Sequence, residues 1–146
     1  MYSFYGCSSL KTLDLSTWNP RLRSISYMFY KCSSLESLDL SKFVVTDVTD
    51  MNYIFYDCGS LRTLNLANWN APNVTTVRYM FDGCSSLATL NTNGFIIKDV
   101  SDITYAFNRC SSLRTLDLSG WDTSKVKQIA HMFDNSGIKK LNISGF

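Results

Sequence analysis

Leucines fall along the chain in a fixed frame. It reads Leu10-x-x-Leu13-x-Leu15, Leu35-x-x-Leu38-x-Leu40, Leu61-x-x-Leu64-x-Leu66 and Leu113-x-x-Leu116-x-Leu118, with Leu87, Leu90 and Thr92 in the fourth copy and Ile138, Leu141 and Ile143 in the sixth. Alternation over the last three positions is the period of a half-buried strand. It turns the leucines inward and sends Asp14, Asp39, Asn65, Asn91, Asp117 and Asn142 outward. Three residues on comes an aromatic column: Trp18, Phe43, Trp69, Phe95, Trp121 and Phe146. The second half of each repeat carries Val48, Met51, Phe55 and Cys58, then Val74, Val77, Phe81 and Cys84, then Val100, Ile103, Phe107 and Cys110. Spacings of 3, 4 and 3 predict one face of a short helix. Thr46, Asn73 and Ser124 stand where they would cap it.

Five cysteines, Cys7, Cys32, Cys58, Cys84 and Cys110, keep the same beat at intervals of 25, 26, 26 and 26 residues. Each sits in nearly one phrase: FYGCSSL, FYKCSSL, FYDCGSL, FDGCSSL, FNRCSSL. A fixed period of this length marks stacked repeats, each contacting its neighbours. The expected fold class is α/β: a horseshoe-like leucine-rich-repeat solenoid of about six coils of 25–26 residues. Parallel strands about 4.8 Å apart would line one face and short helices the other. Residues 1–146 read as one such unit. Phe4 comes early and Phe146 closes directly after a strand, so the unit is expected to be a fragment of a longer array without caps.

Composition narrows the function. Apolar residues make up 45 %, enough for a continuous core. The net charge of +2, from 14 basic and 12 acidic residues, is too even to call for nucleic acid or an anionic membrane. No apolar run approaches the roughly 18 residues of a transmembrane helix, so this segment is not expected to insert in a membrane. The opening, MYSFYGCSSL, lacks the basic and apolar regions of a signal peptide.

Residues 28–43 (MFYKCSSLESLDLSKF) and 107–126 (FNRCSSLRTLDLSGWDTSKV) resemble the BspA-like leucine-rich-repeat surface protein family. The likeness extends over the whole chain. Departures are local: Ala106 stands in the column of Met28, Met80 and Met132, Thr92 replaces a strand leucine, and Asn135-Ser136 replaces the last cysteine phrase. The resemblance implies a cell-surface or secreted protein associated with adhesion, and a family pattern without catalytic residues.

Candidate sites follow from the outward positions. Thr12, Asp14, Ser16, Ser37, Asp39, Ser41, Thr63, Asn65, Thr89, Asn91, Thr115, Asp117 and Ser119 form a polar strand face that could hold a ligand or, beside Asp14 and Asp39, a cation. The competing reading is a solvated face with hydrogen-bonded ladders between coils. The cysteines read best as a structural ladder of core thiols; stacked disulfides are the alternative, and an odd count leaves one over. A tetrahedral metal site does not suit thiols strung along a stack. A tyrosine column, Tyr27, Tyr53, Tyr79 and Tyr105, ends in His131, the one histidine, with no residues spaced for a triad. Lys125, Lys127, Lys139 and Lys140 gather late in the chain as a solvated group, and Asn73 and Asn142 head glycosylation sequons.

No nucleophile, acid–base pair, metal cluster or phosphate loop recurs outside the repeat pattern. The expected function is a non-enzymatic, surface-exposed adhesion module without cofactor, presenting its sheet to a protein or glycan ligand beside neighbouring repeats. The alternative is an intracellular leucine-rich-repeat scaffold or sensor, which reduced cysteines would fit equally.

Overall fold

The computed structural model describes residues 3–18 and 21–146. Each repeat makes one coil, and successive coils lie in parallel, offset by one period. β1 (Ser37–Asp39), β2 (Thr63–Asn65) and β4 (Thr89–Asn91) form a three-stranded parallel sheet. β6 (Thr115–Asp117) pairs with β7 (Lys140–Asn142), and a second line of pairing joins β3 (Asn70–Ala71) to β5 (Ile96–Ile97). Register runs from repeat to repeat: Leu38 opposite Leu64, Leu64 opposite Leu90, Leu116 opposite Leu141. Single parallel bridges tie Ser24, Asp50, Thr76, Asp102 and Gln128 in series.

The expected α/β class, with a layer of short helices, is overturned. The described residues contain no helix; apart from short strands they are turns, bends and loops. The backbone conformation supplies the reason. Each of five coils places two residues in the left-handed region: Tyr27 and Lys31, Tyr53 and Asp57, Tyr79 and Gly83, Tyr105 and Arg109, His131 and Asn135, with φ from 53 to 78°. An L residue there costs roughly 1–2 kcal/mol, and a right-handed helix cannot pass through it.

Backbone hydrogen bonds alternate instead. The amides of Tyr27, Phe29 and Lys31 donate to the carbonyls of Asn52, Ile54 and Tyr56 in the next coil, at 3.0, 2.9 and 2.7 Å. The amides between them, from Met28, Tyr30 and Cys32, close turns on Ile25, Tyr27 and Phe29. The same alternation recurs through residues 79–84 and 105–110. Turns that close on the third residue back bring apolar side chains inward at nearly helical intervals, which is why the 3-4-3 spacing imitated a helix. The expected cap residues cap no helix: the Asn73 side-chain amide donates to the Thr46 carbonyl of the preceding coil at 2.8 Å, and the Ser124 backbone amide donates to the Asp122 carboxylate within its turn at 2.9 Å.

The core is a set of columns running through the stack. Phe29, Phe55, Phe81 and Phe107 stack with ring centroids 5.5, 5.5 and 5.0 Å apart. Trp69, Phe95 and Trp121 meet edge to face at 5.6 Å, a favoured aromatic geometry. The Trp69 indole donates to the Leu40 carbonyl at 2.9 Å.

One coil interrupts the strand ladder. The amides of Leu40, Leu66 and Leu118 reach Asn65, Asn91 and Asn142 at 2.9, 2.9 and 2.8 Å. Thr92, in the place of a leucine, turns its hydroxyl onto the Asp117 carbonyl at 2.8 Å, and β4 does not pair with β6. The strand face is therefore divided by a seam after the fourth repeat.

Candidate functional site

Thr12, Asp14, Ser37, Asp39, Thr63, Asn65, Thr89 and Asn91 line an open trough of about 550 Å³ on the strand face. Thr115 and Asp117 lie across the Thr92 seam, in a second hollow of about 360 Å³ shared with Asn91 and Asn142. Ser16, Ser41 and Ser119 sit in turns, those at Ser41 and Ser119 just beyond a strand. Their backbone amides donate to Asp14, Asp39 and Asp117 at 2.8, 2.9 and 2.8 Å. Asn65, Asn91 and Asn142 take the same place for the amides of Ala67, Asn93 and Ser144, each at 3.1 Å. Each Asp or Asn thus satisfies the turn that follows it, the local bond that makes these residues turn formers, although residues 10–15 of the first repeat form no strand.

The column is also zipped between coils. The Asn91 amide donates to Asn65 at 3.0 Å, and that of Asn142 to Asp117 at 3.2 Å. For Asp14 and Asp39 the backbone amides of Ser16 and Ser41, then their hydroxyls, hold the carboxyl below its ordinary range. For Asp117 the Ser119 hydroxyl leads and its amide follows. These groups are ionised acceptors at neutral pH, fixed in place by bonds within the fold.

The tyrosines form a second surface, larger than the sequence showed. Tyr27, Tyr53, Tyr79, Tyr105 and His131 stack with centroids 4.8, 4.7, 4.7 and 4.6 Å apart. A neighbouring column, Tyr5, Tyr30 and Tyr56, stacks at 4.7 and 5.0 Å. Its signal was the tyrosine two residues before each early cysteine. Lys31, Arg78 and Arg109 lie over Tyr30, Tyr79 and Tyr56 at 5.4, 5.8 and 5.8 Å. Stacking occupies most ring faces and leaves edges for solvent.

Farther along, this second column turns polar at the buried Asp82. Asp82 accepts from the Asn108 amide at 2.9 Å and the Arg109 Nε at 2.8 Å, while Arg109 also reaches Asp57 at 3.0 Å, two coils away. Gly83 makes that reach possible, because a Cβ there would strike the Asp57 carboxylate. His131 pairs with Asp134 at 2.6 Å.

All five cysteines are free thiols. The Sγ of Cys32, Cys58, Cys84 and Cys110 donates to the carbonyls of Phe4, Phe29, Phe55 and Phe81 at 3.1, 3.1, 3.1 and 3.2 Å. Burial pushes the thiol of Cys32 up to about 11 and that of Cys110 to about 12, and raises Cys58 and Cys84 further. Among the described residues no group of three or more His, Cys, Asp or Glu side chains could hold a metal ion.

A family model described as "Mycoplasma protein of unknown function, DUF285" matches residues 1–114 and again residues 61–146, which together span the chain. The chain belongs to this family. No curated protein and no solved structure matches it. The DUF285 match corrects the resemblance to BspA-like proteins, since no leucine-rich-repeat family model matches. The leucine frame that carried the resemblance reports an inward–outward alternation, which does not by itself single out leucine-rich repeats.

Proposed function

We propose that this DUF285 chain is a non-enzymatic binding module that presents its polar strand face to a protein or glycan ligand. The observation that carries the reading is the registered row of Thr or Ser and Asp or Asn pairs across the trough, Thr63 opposite Thr89 and Asn65 opposite Asn91. A ligand lying along the stack meets the same hydroxyl and carbonyl pair at each coil. Because Asx turns and amide zippers fix the acceptors, little side-chain freedom is lost on binding, which favours affinity from many small contacts. The lowered carboxylates support a binding role over proton transfer, which works best with groups poised near the operating pH. Exposure at a cell surface or in a secreted protein belongs to the same proposal.

Immobilised glycan and protein arrays provide the test, followed by Thr63→Arg with Thr89→Arg in the middle of the trough. The expected outcome is a captured ligand whose affinity falls at least about tenfold, or 1.4 kcal/mol. A ligand unaffected by these changes but lost on Tyr53→Ala with Tyr56→Ala would move the site to the tyrosine surface and refute the reading.

A further inference from the structure

Tyrosines are most of the easily oxidised side chains that this fold leaves near solvent. Among the described residues, Cys32, Cys58, Cys84 and Cys110 are 0 % exposed, Trp69 and Trp121 are 0 and 1 %, and Met28, Met51, Met80 and Met132 are at most 3 %. Burial also keeps those four thiols protonated, the form that oxidants attack least. Cys7 and Trp18 are the partly buried exceptions. Tyr27, Tyr30, Tyr53, Tyr56, Tyr79 and Tyr105 are all half-buried, and stacking leaves their edges accessible. Successive coils are related by translation, so neighbouring rings present matching edges. The pairs Tyr27–Tyr53, Tyr53–Tyr79, Tyr79–Tyr105 and Tyr30–Tyr56 depart from parallel by only 9, 8, 7 and 7°. Each ortho carbon therefore lies about one stacking distance from its counterpart in the next coil. Rotation of a half-exposed side chain closes that gap.

We propose that these columns are a site of oxidative modification, where neighbouring tyrosines couple into dityrosine bonds that join one coil to the next. The oxidant is of the peroxide class, acting in one-electron steps. Each of two neighbouring phenols gives up one electron and its phenolic proton, leaving two tyrosyl radicals. The radicals pair at their ortho carbons and form one C–C bond. Each ring then loses its ortho hydrogen as a proton and regains a proton on oxygen, which restores aromaticity. In sum, two tyrosines and one hydrogen peroxide give one dityrosine and two waters. Stacked contact lets a first radical move along its column until a second one forms beside it. Each tyrosine couples once, so Tyr27–Tyr53, Tyr79–Tyr105 and Tyr30–Tyr56 provide three bonds, each between residues 26 apart. In a stack whose coils are held only by their neighbours, each bond ties two coils covalently. It also closes a loop in the unfolded chain, as a disulfide does.

A haem peroxidase fed with hydrogen peroxide, acting on the dilute native chain, tests this. The expected product is a single-chain species lighter by two hydrogens for each bond, with dityrosine fluorescence and a raised urea midpoint. Peptide mapping should join Tyr53 to Tyr27 or Tyr79, Tyr105 to Tyr79, and Tyr56 to Tyr30. Tyr53→Phe with Tyr105→Phe keeps the stacking but leaves Tyr27 and Tyr79 with no tyrosine neighbour in their column. That variant should drop the yield from three bonds to one, the Tyr30–Tyr56 bond. The map of the unsubstituted chain stands independently of the variant's folding. No dityrosine, bonds only between chains, or oxidation of the core thiols ahead of the tyrosines would overturn the proposal. So would the same pairing in urea-unfolded chain, or an unchanged yield from the variant.

Discussion

Above pH 9 the folded chain should lose stability steeply. Cys32, Cys58, Cys84 and Cys110 are enclosed in the core, and burial raises each thiol above its ordinary 9.0. The folded state therefore keeps four protons that the unfolded chain releases, so stability is full below pH 9 and falls as pH rises toward the folded values. At pH 10 the loss is about 1.4 kcal/mol per thiol and about 5 kcal/mol for the four. That is a large fraction of the 5–15 kcal/mol typical of a domain. Urea unfolding between pH 8 and 10 measures it, and a flat profile would refute the buried-thiol ladder. Cys84→Ala should remove about one quarter of the slope while lowering stability at every pH through lost packing. On the acid side the sign reverses. Asp39 and Asp117 sit below 3.8 in the fold, so their contribution is present above that value and fades as pH falls through the folded range.

Phe81→Ala should cost about 3–5 kcal/mol, the range for a fully buried phenylalanine. Phe81 is 0 % exposed, stacked between Phe55 and Phe107, and its carbonyl receives the Cys110 thiol. Phe133→Ala removes the same side chain from a half-buried position with one stacking neighbour and should cost less than about 2 kcal/mol. In a linear stack each coil is held only by its neighbours, so depth along the stack sets the cost. Urea melts of both variants check this; equal losses would show that depth along the stack does not set the cost.

Much of this architecture was legible in the residues, for physical reasons that differ by element. Strand alternation in Leu38-x-Leu40 or Leu64-x-Leu66 has only one inward reading, and the period of the cysteines gives the register between coils. The turn half of the coil was misread because 3-4-3 spacing is common to a helical face and to turns closing on the third residue. A clue lay before the cysteines, where Gly6, Gly83 and Asn135 occupy a slot that proves left-handed; Gly and Asn are the residues that adopt it most readily. Nothing comparable marks Tyr27 or Tyr53, whose positive φ is a tertiary outcome held by ring stacking and bonds to the next coil.

The polar face was located by its outward alternation, while its wiring was not. Asp-Leu-Ser at Asp14, Asp39 and Asp117 spells a turn in which the carboxylate accepts from the serine amide, and this moved Ser16, Ser41 and Ser119 off the strand face. Thr92 looked like a lost leucine. It marks the seam that separates Thr115 and Asp117 from the main trough.

All of these features depend on amides that alternate between a turn within the coil and a carbonyl in the next one. Scalar couplings across hydrogen bonds, measured by NMR on the labelled chain, read that alternation directly. The Tyr53 amide should couple to the Arg78 carbonyl and the Tyr56 amide to the Tyr53 carbonyl. Couplings from each amide in this segment to the carbonyl four residues back would mean a helix, and would contradict the helix-free stack on which the binding face rests.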